Sequence, residues 1–159
     1  MVEQGVYLDT HPAAGTRGRR FSDEGDVSIQ LEAGPSAAAL ARNALVSIER
    51  KVDDDLMADV RLLVSELVTN SVRHADMPPP GSVSLEVSLD ARKIHVEVRD
   101  SGRGFEPRGR RDGQSKAGGW GLYLVERLAD RWGVMRNTFT RVWFEIDLGR
   151  RSRAAIEPG

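Results

Sequence analysis

Two side chains four residues apart, Glu66 and Asn70 in SELVTNSVRHA, set an acid beside an amide. On a helix, positions i and i+4 are surface neighbours. These two fall at the margin of an apolar stripe, next to Leu63 and Leu67, where a solvated boundary pair is the ordinary alternative. Further on, Asp100-Ser101-Gly102-Arg103-Gly104-Phe105 follows an alternating segment. An acid at a strand end followed by Gly-x-Gly lets backbone approach a ligand closely while the carboxylate accepts a hydrogen bond, although a plain glycine-rich turn has the same composition. Gly118-Gly119-Trp120-Gly121 then leads into a helical pattern, so backbone N–H groups and the helix dipole could face a phosphate. Between these clusters, EPRGRRDGQSKAG carries Arg108, Arg110, Arg111 and Lys116. It reads either as a solvated charged loop or as a lid closing over an anion. No Gly-Lys-Ser/Thr of a P-loop is present.

The elements that must carry these residues follow from periodicity. Val27, Ile29 and Leu31 alternate as a short strand, and Pro35-Ser36 opens a helical run through SAAALARNALVSIERKV. A second helix is predicted over Asp55 to His74, with Leu56, Val60, Leu63, Val64, Leu67 and Val68 at helical spacing. MPPPG, residues 77–81, stops it. Val83, Leu85, Val87 and Leu89 form one strand face and Ile94, Val96 and Val98 another, joined by a tight hairpin at 89–93. After the polar loop 100–119 come a third helix, GLYLVERLADRW, a strand near Trp132–Met135, and a last strand carrying Val142, Phe144, Ile146 and Leu148. The order β-α-α-β-β-loop-α-β-β implies a two-layer α/β sandwich, with a mixed, largely antiparallel sheet and helices on one face. Residues 1–25 read as a flexible leader, 26–149 as the domain and 150–159 as a basic tail.

Composition narrows the classes. The 159 residues contain no cysteine, which excludes disulfides, thiolate metal sites and a cysteine nucleophile. A net charge of -1 gives no general attraction to nucleic acid or anionic lipid. The start MVEQGVYLDT is not a secretory signal, and no apolar run is long enough to span a bilayer, so the expected location is cytoplasmic.

Taken in order, the motifs resemble the Bergerat-fold ATPases, the superfamily of gyrase, the Hsp-ninety chaperones, histidine kinases and mismatch-repair ATPases. SELVTNSVRHA is similar to the asparagine box, RDSGRGF to the first glycine box and GGWGLYLVERLAD to the second, over roughly residues 27–148. Within that superfamily, Glu66 and the phrase LVSELVTNSVRHA most resemble the small anti-sigma-factor serine kinases of Gram-positive bacteria. TRVWFEIDL is similar to their actinobacterial relatives.

The resemblance implies an ATP-binding anti-sigma factor that dimerises, sequesters a sigma factor and phosphorylates a serine of an antagonist protein. It implies magnesium on Asn70, a general base at Glu66 and an adenine acceptor at Asp100, with Gly102 and Gly104 making room for the base. Gly119, Gly121 and Leu122 would cradle the nucleotide, with Arg108 or Lys116 as lid contacts, while Ala117 stands where an earlier glycine is common. Arg42 matches an arginine that contacts protein partners; a solvated helix arginine is its alternative. His74 resembles a residue often found after the asparagine box, and a helix-capping cation is the reading preferred here. A nucleotide-responsive binding module without phosphoryl transfer is the competing function. A detached histidine-kinase catalytic domain is disfavoured by Glu66 and by the lack of a helical hairpin presenting His11, His74 or His95.

Overall fold

A computed structural model describes residues 27–74, 77–102, 120–136 and 139–150. The expected leader, most of the glycine-rich loop and nearly all of the tail lie outside these residues. The order is β1 (Val27–Glu32), α1 (Ala37–Ala44), a 3₁₀ segment (Leu45–Lys51), α2 (Asp54–His74), β2 (Ser82–Leu89), β3 (Lys93–Asp100), α3 (Trp120–Leu128), β4 (Arg131–Arg136) and β5 (Thr140–Asp147). The strands form one sheet in the order β1-β2-β3-β5-β4. Every pairing among the described residues is antiparallel, so the sheet is less mixed than the sequence reading allowed.

Alternation fixes which face is covered. The rung Val27, Val87, Val96, Phe144, Trp132 crosses all five strands, and beside it runs Ile29, Leu85, Val98, Val142, Val134. Above these rungs lie Leu56, Met57, Val60, Leu63, Val64, Leu67 and Val68 of α2, all buried. Asp53 starts α2 by accepting the Leu56 N–H on its carboxylate at 2.8 Å, as an N-cap does, and Asp54 and Asp55 fill the first turn. Alanines 37 and 41 are fully buried, so α1 approaches the core closely.

Two boundaries differ from expectation. The first helix changes to 3₁₀ geometry at Leu45, because three residues per turn put Leu45 and Ile48 on one side and both are buried. Glu49 of that segment pairs with Arg61 of α2 at 2.6 Å. The third helix stops at Leu128 instead of running to Trp132. Asp130 donates its N–H to the Glu145 carbonyl, and its carboxylate accepts the Asp147 N–H at 2.7 Å, so sheet pairing captures the chain there.

The hairpin at 89–93 is closed by Asp90. Its carboxylate accepts the N–H groups of Arg92 and Lys93, and these two bonds hold its pKa below the usual carboxylate value. The uncovered sheet face is polar. There His95 stacks on Trp143 with ring centroids 5.8 Å apart, and its Nδ1 lies 3.1 Å from Glu145 Oε1. A hydrogen bond to Glu97, reinforced by Glu145 and opposed by burial, raises the His95 pKa. Burial pushes the Glu145 carboxyl upward, but bonds from Lys93 and His95 outweigh it and leave the group below its ordinary value.

Candidate functional site

The covered face becomes polar at one end. The rung after Leu85 and Val98 is Val83, Asp100, Thr140, where an acid and a hydroxyl replace aliphatic side chains. Asp100 is the last residue of β3 and is 5% exposed. Its Oδ1 accepts the Gly102 N–H at 3.0 Å, a turn that folds the first Gly of the Asp-x-Gly back onto the acid. The Thr140 backbone and the Ser71 side chain lie close enough to favour its ionised form. Burial raises the Asp100 pKa, and the Gly102 N–H, with Thr140 and Ser71 nearby, opposes that shift. Ser101 fastens the same turn to the start of β2. Its N–H donates to the Ser82 carbonyl and its hydroxyl accepts the Ser82 N–H, each at 3.1 Å.

Ser71 brings the other predicted residues to this corner. It sits 9% exposed on α2, directly after Asn70 and five residues after Glu66. Both Asn70 and Glu66 are half-buried, at the margin of the stripe where the helical pattern put them. A single helix thus presents a carboxylate and an amide beside the strand end that bears Asp100. Packing of α3 against α2 sets the start of α3, with Gly121 in its first turn and half-buried Leu122 next to it, on the same helical layer. Gly102 is buried with Asp100. Gly104, Arg108, Lys116 and Gly119 lie outside the described residues, as does the His74 side chain. No group of three or more His, Asp and Glu able to hold a metal occurs among the described residues.

Arg42 is exposed on α1, as its place in the Ala-rich helix suggested. It is not a simple solvated arginine, since its Nη1 donates to Ser65 Oγ at 3.0 Å. The Ser65 hydroxyl in turn donates to the Arg61 carbonyl at 2.7 Å. Arg42 is therefore tied to α2 one residue before Glu66, although the two are far apart in sequence.

Sequence reasoning missed Ser71 and Thr140. A signal for each was present. Ser71 continues the row Val60, Val64, Leu67, and Thr140 continues the inward row Ile146, Phe144, Val142, so both are hydroxyls at core positions.

The chain is similar to known proteins. The family profile described as the histidine kinase-like ATPase domain matches residues 31–146. A protein of Listeria innocua named serine-protein kinase RsbW is 30% identical over 118 residues, covering 65% of this chain and 75% of the relative. An anti-sigma F factor of Anoxybacillus flavithermus is 27% identical over 84 residues, covering 51% of this chain and 58% of its own. Among solved structures, the histidine kinase domain of a blue-light activated histidine kinase from Erythrobacter litoralis superimposes with a TM-score of 0.56 at 25% identity. That match covers 77% of this chain and 66% of the other. The antiparallel sheet with helices on one face is the fold these proteins share, and the chain belongs to the histidine kinase-like ATPase domain family.

Proposed function

We propose that the protein is an ATP-binding anti-sigma factor that phosphorylates a serine of an antagonist protein and sequesters a sigma factor. The observation that carries this reading is the packing of α2, which bears Glu66 and Asn70, against β3, which ends in Asp100. Relatives named serine-protein kinase and anti-sigma factor support it. Asp100 would accept from the adenine amino group beside the Gly102 turn, and Asn70 would offer one hard oxygen to magnesium. When bound, magnesium would neutralise phosphate charge, with its other places taken by phosphate and water. Gly104, Lys116, Gly119, Gly121 and Leu122 would line the remainder of the nucleotide site.

Glu66 has the chemistry of a general base. It would take the proton of the incoming serine hydroxyl as that oxygen bonds to the γ-phosphorus and ADP departs. Arg42, exposed and braced on Ser65, would meet the protein partners. The protein would act in the cytoplasm as a homodimer. Its exposed, braced arginine equally suits the second reading, a nucleotide-responsive binding module without catalysis.

Glu66→Gln separates the two. The amide keeps the shape but loses the basic lone pair, so ATP and sigma-factor binding should persist while antagonist phosphorylation falls roughly 10²–10⁴-fold. Asn70→Ala should instead weaken magnesium and ATP together. A wild-type protein that binds ATP and sigma factor but never transfers radiolabel to the antagonist makes the binding module correct. Wild-type turnover in Glu66→Gln removes Glu66 as the base.

A further inference from the structure

Two polar braces tie the first helical segments to α2. Arg42 Nη1 on α1 donates to Ser65 Oγ at 3.0 Å, and Glu49 of the 3₁₀ segment pairs with Arg61 at 2.6 Å. Between the braces each side leaves an aliphatic side chain in solvent. Val46 lies one 3₁₀ turn before Glu49, hence on the same side, and is 57% exposed. Leu62 lies between Arg61 and Ser65, away from the buried stripe of α2, and is 42% exposed. A single exposed aliphatic is ordinary, but two set between one pair of braces make a small apolar step with fixed edges.

The charge at this step is unbalanced. Arg61 is matched by Glu49, whereas exposed Arg42 meets a neutral hydroxyl and no acid among the described residues. A complementary partner brings an acid to Arg42 and an aliphatic side chain to Val46 and Leu62. Glu66 indicates which partner that is. It lies four residues beyond Leu62 on α2, half-buried. Residues at that spacing are roughly 5–6 Å apart at Cβ. An extended chain covers such a distance in about two residues.

We infer that Leu62, with Val46, is a docking step for the serine-bearing substrate, selecting a segment with an aliphatic residue two positions from the serine and an acid for Arg42. The inference rests on the reading of Glu66 as the base of a serine kinase. Seating the aliphatic side chain on Leu62 brings the serine hydroxyl over the Glu66 carboxylate. Its oxygen then bonds to the γ-phosphorus, its proton passes to Glu66 and ADP leaves. The contact decides which serine is chosen and leaves nucleotide binding alone.

Short synthetic peptides with one serine and one aspartate, and with leucine or glutamine two positions to either side of the serine, test this. Radiolabel transfer from ATP is measured for the full chain and for Leu62→Gln. Glutamine favours helix and position 62 is exposed, so α2 is retained. At limiting peptide the wild-type protein should label one leucine peptide roughly tenfold faster than its glutamine counterpart, the effect of burying most of one aliphatic side chain. Which side of the serine carries that leucine follows from the direction in which the segment crosses α2. Leu62→Gln should erase the preference while ATP affinity and labelling of the glutamine peptides stay unchanged. A wild-type protein without the preference, or a preference that survives Leu62→Gln, overturns the docking role. Labelling of the antagonist protein but of no peptide also overturns it. A Leu62→Gln protein that keeps the preference and loses sigma-factor binding assigns the step to the sigma factor instead. A wild-type protein that labels neither peptide nor antagonist fails as a kinase, and the inference falls with it. That failure is read before any substitution is made.

Discussion

Asp100 is opposed by its surroundings and supported by its neighbours. Burial resists its ionisation, while the Gly102 N–H, with Thr140 and Ser71 nearby, favours the anion. The net shift is upward, which fixes the sign of its pH dependence. Between the ordinary aspartate value and the raised one, the folded chain binds the proton more tightly than the unfolded chain. The contribution of this group to stability is therefore greatest below that window and falls as pH rises through it. ATP affinity should move the opposite way, since the acceptor must be anionic. Asp100→Asn should cost about 1.5–3 kcal/mol of ATP binding at neutral pH and flatten the acid limb of the affinity profile, both measurable by calorimetry. Unchanged affinity in a folded Asp100→Asn protein removes the assignment. At this scale the sequence was informative where residue type is unusual for its place. Glu66 with Asn70 stands out at a stripe margin, and Asp100 at a strand end before Gly-x-Gly. Ser71 and Thr140 did not stand out, because a serine in a helix and a threonine in a strand look ordinary until α2 docks and both prove buried against one carboxylate.

Secondary elements were legible for a different reason: their periods repeat. The strand faces and the span of α2 followed from alternation and helical spacing. The change to 3₁₀ geometry at Leu45 and the early end of α3 were not, since both arise from docking on partners distant in sequence. The polar sheet face adds a constraint that no single strand reveals. Trp143 of β5 lies over Gly133 of β4, so that a Cβ placed on Gly133 would come within 2.7 Å of the indole Nε1. The same indole stacks on His95, which contacts Glu145. Gly133→Val should displace the ring and destabilise the fold by about 1–3 kcal/mol, as overpacking does, with the loss read from urea denaturation. A melt unchanged by valine would show that the indole moves aside freely.

At the scale of the molecule, α2 connects two surfaces that the sequence kept apart. Its buried side brings Ser71 close to Asp100, and its outer side braces Arg42 through Ser65. Arg42→Glu should weaken sigma-factor binding by roughly tenfold or more, the usual effect of reversing an interface arginine, while ATP affinity stays within about twofold. Surface plasmon resonance with the partner and calorimetry with ATP would check the two halves; intact partner binding would place the interface elsewhere. The strand order has a consequence for how the protein is made. Synthesis delivers β4 before β5, yet β5 lies between β3 and β4, and among the described residues β4 pairs with no other strand. The pairing of β3 with β5 joins Lys93–Asp100 to Thr140–Asp147, so it cannot form until that late stretch has left the ribosome. Until then a nascent chain already carries Glu66, Asn70 and Asp100 but lacks Thr140, the residue opposite Asp100 in the sheet. Translation products that stop short of Thr140 would thus lack β5 and with it the strand that holds β4 in the sheet.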